Sequence, residues 1–148
     1  MTNTPVRYPI GIQSFEKLRE LGYLYVDKTE LIYNLVNSSN CIFLSRPRRF
    51  GKSLLLSTIQ AYFEGKRELF KGLAIERLES EWRVHPVLKL SLATYHAADG
   101  GNLEEILGNQ FAEWEEKYDV RISTADLSSR FGNIIKAAYN ATGMPVVI

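Results

Sequence analysis

The 148-residue sequence predicts an α/β fold with a mostly parallel sheet, and three observations carry that expectation. Cys41-Ile42-Phe43-Leu44 is a short, wholly apolar run, the pattern of a strand buried on both faces of a parallel sheet. It passes through a basic loop into Gly51-Lys52-Ser53. Leu54, Leu55, Leu56, Ile59, Tyr62 and Phe63 then lie among helix formers, with no Gly or Pro before Gly65. Two more apolar stretches, Val87–Leu92 behind Pro86 and Met144–Ile148, alternate with helical patterns farther along the chain.

Each element has a local reason. Residues 14–21 read as a short helix stopped by Gly22, and residues 23–26 as a brief extended piece. Asp27 reads as an N-cap with Glu30 at the third helical position, opening a helix that buries Leu31, Ile32, Leu35 and Val36. A polar loop, Asn37 to Asn40, precedes the first apolar run. Residues 64–85 are irregular, with Gly65, Gly72 and one short helix near 76–82. The Gly100–Gly101 turn leads to an Asn102 cap with Glu105 three residues on. That helix sets Leu103, Ile106, Leu107, Phe111 and Trp114 on one face. Its acids fall opposite, so the acidic run from Glu104 to Asp119 reads as a solvated face rather than a binding site. Ser123 and Asp126 form a second capping box before a helix burying Leu127, Phe131, Ile134, Ile135 and Ala138.

Composition bounds the function. One domain's worth of chain with 45% hydrophobic residues supplies a real core, and a net charge of +1 argues against a surface built wholly for nucleic acid. A single cysteine, Cys41, excludes a disulfide framework and fits a reducing, cytoplasmic compartment. The N-terminus reads as neither signal peptide nor membrane span. His85 and His96 lie at no recognised metal-ligand spacing from Cys41 or from each other.

The loop carries the chemistry. A strand–loop–helix turn presents consecutive backbone N–H groups and a helix N-terminus to an anion. Gly51 lets the backbone approach a phosphate, Lys52 reaches the β- and γ-phosphates, and the Ser53 hydroxyl suits Mg²⁺. Residues 40–63 hold Arg46, Arg48, Arg49 and Lys52 and no acid. The common form of this loop has a Gly five residues before Gly51, where this chain has Arg46 followed by Pro47. A basic surface turn is the plain alternative. Two other functions fit the same residues: a module holding nucleic-acid phosphates on the Arg-rich loop, and a P-loop kinase for a small acceptor.

Several segments together resemble the bacterial AAA-ATPase-like domain proteins. They are Pro9-Ile10-Gly11-Ile12-Gln13-Ser14-Phe15, Tyr25-Val26-Asp27-Lys28-Thr29, Phe43 to Ser53, Ala61-Tyr62-Phe63-Glu64-Gly65 and Leu69-Phe70-Lys71-Gly72-Leu73. The resemblance implies a P-loop NTPase-like three-layer α/β/α fold, with residues 1–40 as a helical lead-in and 41–148 as the P-loop core. It implies ATP or ADP with Mg²⁺ on Arg46, Pro47, Arg48, Arg49, Phe50, Gly51, Lys52 and Ser53, with Ser53 on the metal. Asp27, Lys28 and Thr29 would line the nucleotide pocket, or Asp27 would simply cap a helix. Such proteins often carry a C-terminal domain similar to PD-(D/E)XK nucleases, through which nucleic acid would be a partner. In the family the strand starting at Pro145 runs on into Asp-Glu, the Walker B acids. This chain stops at Ile148, inside an apolar run. It therefore reads as truncated, with nucleotide binding expected and hydrolysis deficient.

Overall fold

Six α-helices and one 3-10 turn make up the regular structure of the computed structural model, which describes residues 7–92, 102–120 and 126–148. The chain divides into two compact units, Met1–Arg83 and Val84–Ile148.

The expected three-layer α/β/α sheet is not what forms. The described residues hold no sheet, only two isolated parallel bridges, Arg7 with Tyr23 and Val87 with Val147. The reason is that a strand exists only through a neighbour that takes up its N–H and C=O groups. Residues 42–47 have no such ladder, and the supposed double-faced burial fails with it: Phe43 is 91% exposed and Cys41 lies at the surface. A four-residue apolar run states a preference for burial, not the identity of a pairing partner.

In the first unit, α1 (Phe15–Glu20) is capped by the Ser14 hydroxyl, which accepts from the Lys17 N–H. The next helix, α2 (Thr29–Ser38), has Lys28 and not Asp27 at its N-cap. α3 (Lys52–Phe63) leads to a 3-10 turn at Arg67–Phe70 and the single turn α4 (Ile75–Leu78). α4 is shorter than the 76–82 helix expected. Phe15, Ala61, Leu69, Phe70, Leu73 and Ile75 form the core. Aromatic rings hold it together: Phe70 lies 4.8 Å from Phe15 and 5.1 Å from Trp82, centroid to centroid. α3 buries Thr58 and Ala61, while Leu56 is exposed, so its inward stripe is narrower than its apolar content suggests.

The second unit is built on α5 (Leu103–Lys117) and α6 (Leu127–Thr142), which pack on each other. Asn102 caps α5 by accepting from the Glu104 N–H at 3.0 Å, and Asp126 caps α6 by accepting from the Ser129 N–H at 3.0 Å. Ser123 and the Gly100–Gly101 turn lie outside the described residues, as does His96. Leu88, Phe111 and Ile134 are buried between the elements, with Phe131 stacked on Phe111 at 5.2 Å. Gly143 ends α6 in the left-handed region, its N–H donating to the Tyr139 carbonyl at 2.7 Å.

One acid departs from the solvated face. Glu115 is 2% exposed and takes both arms of Arg130, Nε to Oε1 at 2.8 Å and Nη2 to Oε2 at 2.7 Å. The paired guanidinium holds its carboxyl below the usual range, against the opposing effect of burial.

Candidate functional site

The loop from Arg46 to Ser53 is closed by its own lysine. Lys52 Nζ donates to the carbonyl of Arg46 and, at 2.9 Å, to that of Pro47. Between those carbonyls and the helix the backbone twice enters the left-handed region, at Arg49 (φ 67°) and at Gly51 (φ 71°), the N-cap of α3. That conformation costs glycine little and a side-chain-bearing residue about 1–2 kcal/mol. It turns the chain sharply into the helix. The first N–H groups of α3 have no intrahelical acceptor, and no acid occupies its first turn.

Arg46, Pro47, Arg48, Arg49, Phe50, Gly51 and Ser53 are all exposed, and Lys52 is half-buried. None of the three guanidiniums is in an ion pair among the described residues. The structure thus brings the expected loop residues together on one open turn. Phe50 does not pack beneath it: its ring is 63% exposed.

Beside the loop lies a cavity of about 680 Å³ within the first unit, and Arg46, Phe50 and Gly51 form part of its wall. Its other walls are mostly apolar, with Leu24 and Val26 from the segment before α2, Leu31 and Leu35 from α2, and Leu54 from α3, and Tyr25, Lys28 and Thr58 add polar groups. The sequence reading expected Leu31 and Leu35 to be buried, whereas Leu31 is 65% exposed at the cavity. The i, i+4 pair Asn34 and Ser38 on α2 also lines the cavity, and that spacing on an otherwise apolar helix face was the available signal.

Asp27 and Thr29 do something else. Asp27 Oδ1 accepts from the Thr29 N–H at 2.9 Å and from its hydroxyl at 2.7 Å, and Asp27 Oδ2 accepts from the Ala74 N–H at 2.7 Å. The buried Thr29 Oγ1 in turn accepts from the Ile75 N–H at 3.0 Å. Partial burial pushes the Asp27 carboxyl up, but these hydrogen bonds outweigh it and hold it below its ordinary value. The pair clamps the start of α4. Of the three residues, only Lys28 lines the cavity.

No helix among the described residues is long and apolar enough to cross a membrane. No group of three or more His, Cys, Asp or Glu that could hold a metal ion occurs among the described residues.

An ammonium, open backbone N–H groups and a helix N-terminus on one turn are the parts of an anion-binding site. The family model described as "Predicted AAA-ATPase" matches residues 9–148, and the chain belongs to this AAA-ATPase-like family. It is 38% identical over 143 residues to a protein of Azotobacter chroococcum mcd 1 described as "Uncharacterized protein in vnfD 5'region". The match covers 96% of this chain and 28% of that relative, so the chain spans less than a third of the relative's length. No solved structure matches the chain.

Proposed function

We propose that this chain is a nucleotide-binding portion of an AAA-like ATPase, taking the phosphates of Mg-ATP or Mg-ADP on the loop from Arg46 to Ser53. One observation carries the reading: Lys52 folds onto the carbonyls of Arg46 and Pro47, curling the loop around an ammonium at the start of α3. In the bound state that ammonium would leave the carbonyls for phosphate oxygens. The loop N–H groups would donate to the same anion, and the Ser53 hydroxyl would contact Mg²⁺. The metal, when bound, supplies charge neutralisation between the phosphates. ATP hydrolysis by longer members of the family is part of the same proposal.

The test is calorimetric titration of Mg-ATP into the wild type and into Lys52→Ala, each shown to be folded. A charged hydrogen bond to phosphate contributes on the order of 1.5–3 kcal/mol, so the variant should lose about tenfold to a hundredfold in affinity. Equal affinities would sink the proposal. Three exposed guanidiniums, none in an ion pair among the described residues, also suit a nucleic-acid backbone, and steep loss of DNA binding with added salt, without any ATP binding, would favour that second reading.

A further inference from the structure

We propose that the cavity walled by α2, α3 and the segment before α2 binds a fatty acid, its chain on the apolar floor and its carboxylate at the mouth with Lys28 and Arg46. The cavity has a distinct inside and outside. Leu18, Ile32 and Thr58 are buried and form its floor, while Val26, Leu31 and Phe50, exposed by 70%, 65% and 63%, stand around its mouth. Its volume of about 680 Å³ lies in the range of small-molecule sites. The interior asks for nothing polar. The Thr58 hydroxyl donates to the Leu54 carbonyl at 2.8 Å and the Ser38 hydroxyl to the Leu35 carbonyl at 2.9 Å, so both already have acceptors. Apolar area therefore selects the occupant, and each CH₂ taken out of water should tighten binding by up to about fourfold.

The charges at the mouth have one sign. Lys28 and Arg46 line the cavity, both are exposed, and neither is in an ion pair among the described residues. No carboxylate lines the cavity. Asp27, the neighbour of Lys28 in the chain, turns one oxygen to Thr29 and the other to the Ala74 N–H. Long cationic side chains lay their methylene stems on apolar surface and keep the charge in water, where the head of an amphiphile would also stay. An apolar interior behind a cationic mouth is complementary to a linear chain with one negative head. A positive head would meet two like charges. Of the cavity's lining, only Arg46, Phe50 and Gly51 belong to the loop from Arg46 to Ser53, so the two sites can be tested apart.

The experiment titrates octanoate, decanoate, decanol and decyltrimethylammonium, each below its micelle-forming concentration, into the 148-residue chain by calorimetry. The same titrations are made on Lys28→Gln, Leu31→Gln and Lys136→Gln. All three positions are exposed, and the Lys28 side chain makes no capping hydrogen bond to α2, so the variants should fold. Decanoate should bind roughly tenfold tighter than octanoate, and tighter than decanol or the cationic amphiphile. Lys28→Gln should weaken decanoate by about threefold to tenfold and leave decanol unchanged. Leu31→Gln should weaken both. Lys136→Gln, the same loss of charge in the second unit, should change neither. Absence of decanoate binding, no gain with chain length, equal affinity for the cationic amphiphile, or an equal loss in Lys136→Gln would overturn the proposal. So would a wild type that dimerises at these concentrations and becomes monomeric in Leu31→Gln, since the mouth would then be an interface between copies.

Discussion

The two units solve the problem of an ordered backbone in opposite ways. The second relies on two helices of 15 and 16 residues, whose backbone groups are satisfied internally apart from the capped ends. The first has short helices and long irregular connections, so side chains do the work that ladders do elsewhere. Arg19 donates to the carbonyls of Leu69 and Lys71, both at 2.7 Å, and the Phe15 N–H donates to Ser57 Oγ at 2.9 Å. Asp27 and Thr29 hold α4. The difference teaches where a binding loop can be kept. A turn closed by a side chain, as Lys52 closes its loop, leaves its own N–H groups free for a ligand, whereas a helix consumes nearly all of its own.

Each unit carries one of the chain's two tryptophans, Trp82 in the first core and Trp114 in the second, so fluorescence can follow them separately. The largest effect is expected from Phe70→Ala, which empties the centre of the aromatic cluster. It should cost about 3–5 kcal/mol, read by denaturant unfolding through Trp82. A cost under about 1 kcal/mol would mean that the side-chain clamps, not the rings, hold the first unit.

Comparable in size is Arg130→Met in the second unit. It strands a buried carboxylate, and a broken buried pair typically costs about 3–5 kcal/mol. The pH dependence has a definite sign. Because the folded Glu115 carboxyl titrates below its ordinary 4.5, its contribution is complete above about pH 4.5 and disappears as pH falls through the folded value. The wild type should therefore lose stability on acidification below pH 4.5. Glu115→Gln, less stable at neutral pH, should lose less over that window, followed through Trp114. Parallel acid curves for the two proteins would remove Glu115 from the account.

Smaller again is Thr29→Val. It deprives the buried Ile75 N–H of its acceptor and the Asp27 carboxylate of a donor, at a cost of about 1–3 kcal/mol. The smallest change is expected from Lys52→Ala. Although it removes two hydrogen bonds, the loop is exposed, and stability should move by no more than about 0.5 kcal/mol while nucleotide affinity drops. A Lys52→Ala protein as unstable as Thr29→Val would show the loop to be a structural brace.

What the sequence made legible follows this contrast. The second unit's helices announce themselves through i, i+3, i+4 apolar spacing and the cap Asn102, because both signals are local. Asp126, expected inside a capping box opened by Ser123, is itself the N-cap of α6. Glu115 was missed since nothing in an acidic run marks which member meets an arginine 15 residues later. In the first unit the turn at Gly51 and the helix after it were legible, since both are written within one short segment. The sheet was expected from Cys41–Leu44, and no ladder formed there, because pairing partners are nonlocal and carry no mark in the strand itself. The cavity escaped notice for the same reason. Leu31 and Leu35 read as buried helix positions, and only their arrangement in space with Leu54 reveals walls around a void.

The helix α3 is fastened unevenly, and that has a kinetic consequence. Its C-terminal half is buried at Thr58 and Ala61 and tied by the Tyr62 hydroxyl donating to Glu79 Oε2, while its first turn projects from the open loop. Amide protons along this one helix should exchange with solvent at graded rates, slowest near residues 61–63 and fastest near 53–55. Bound phosphate would act on the fast end alone. The same dozen residues would thus be a fixed post at one end and at the other a segment whose opening rate reports ligand occupancy.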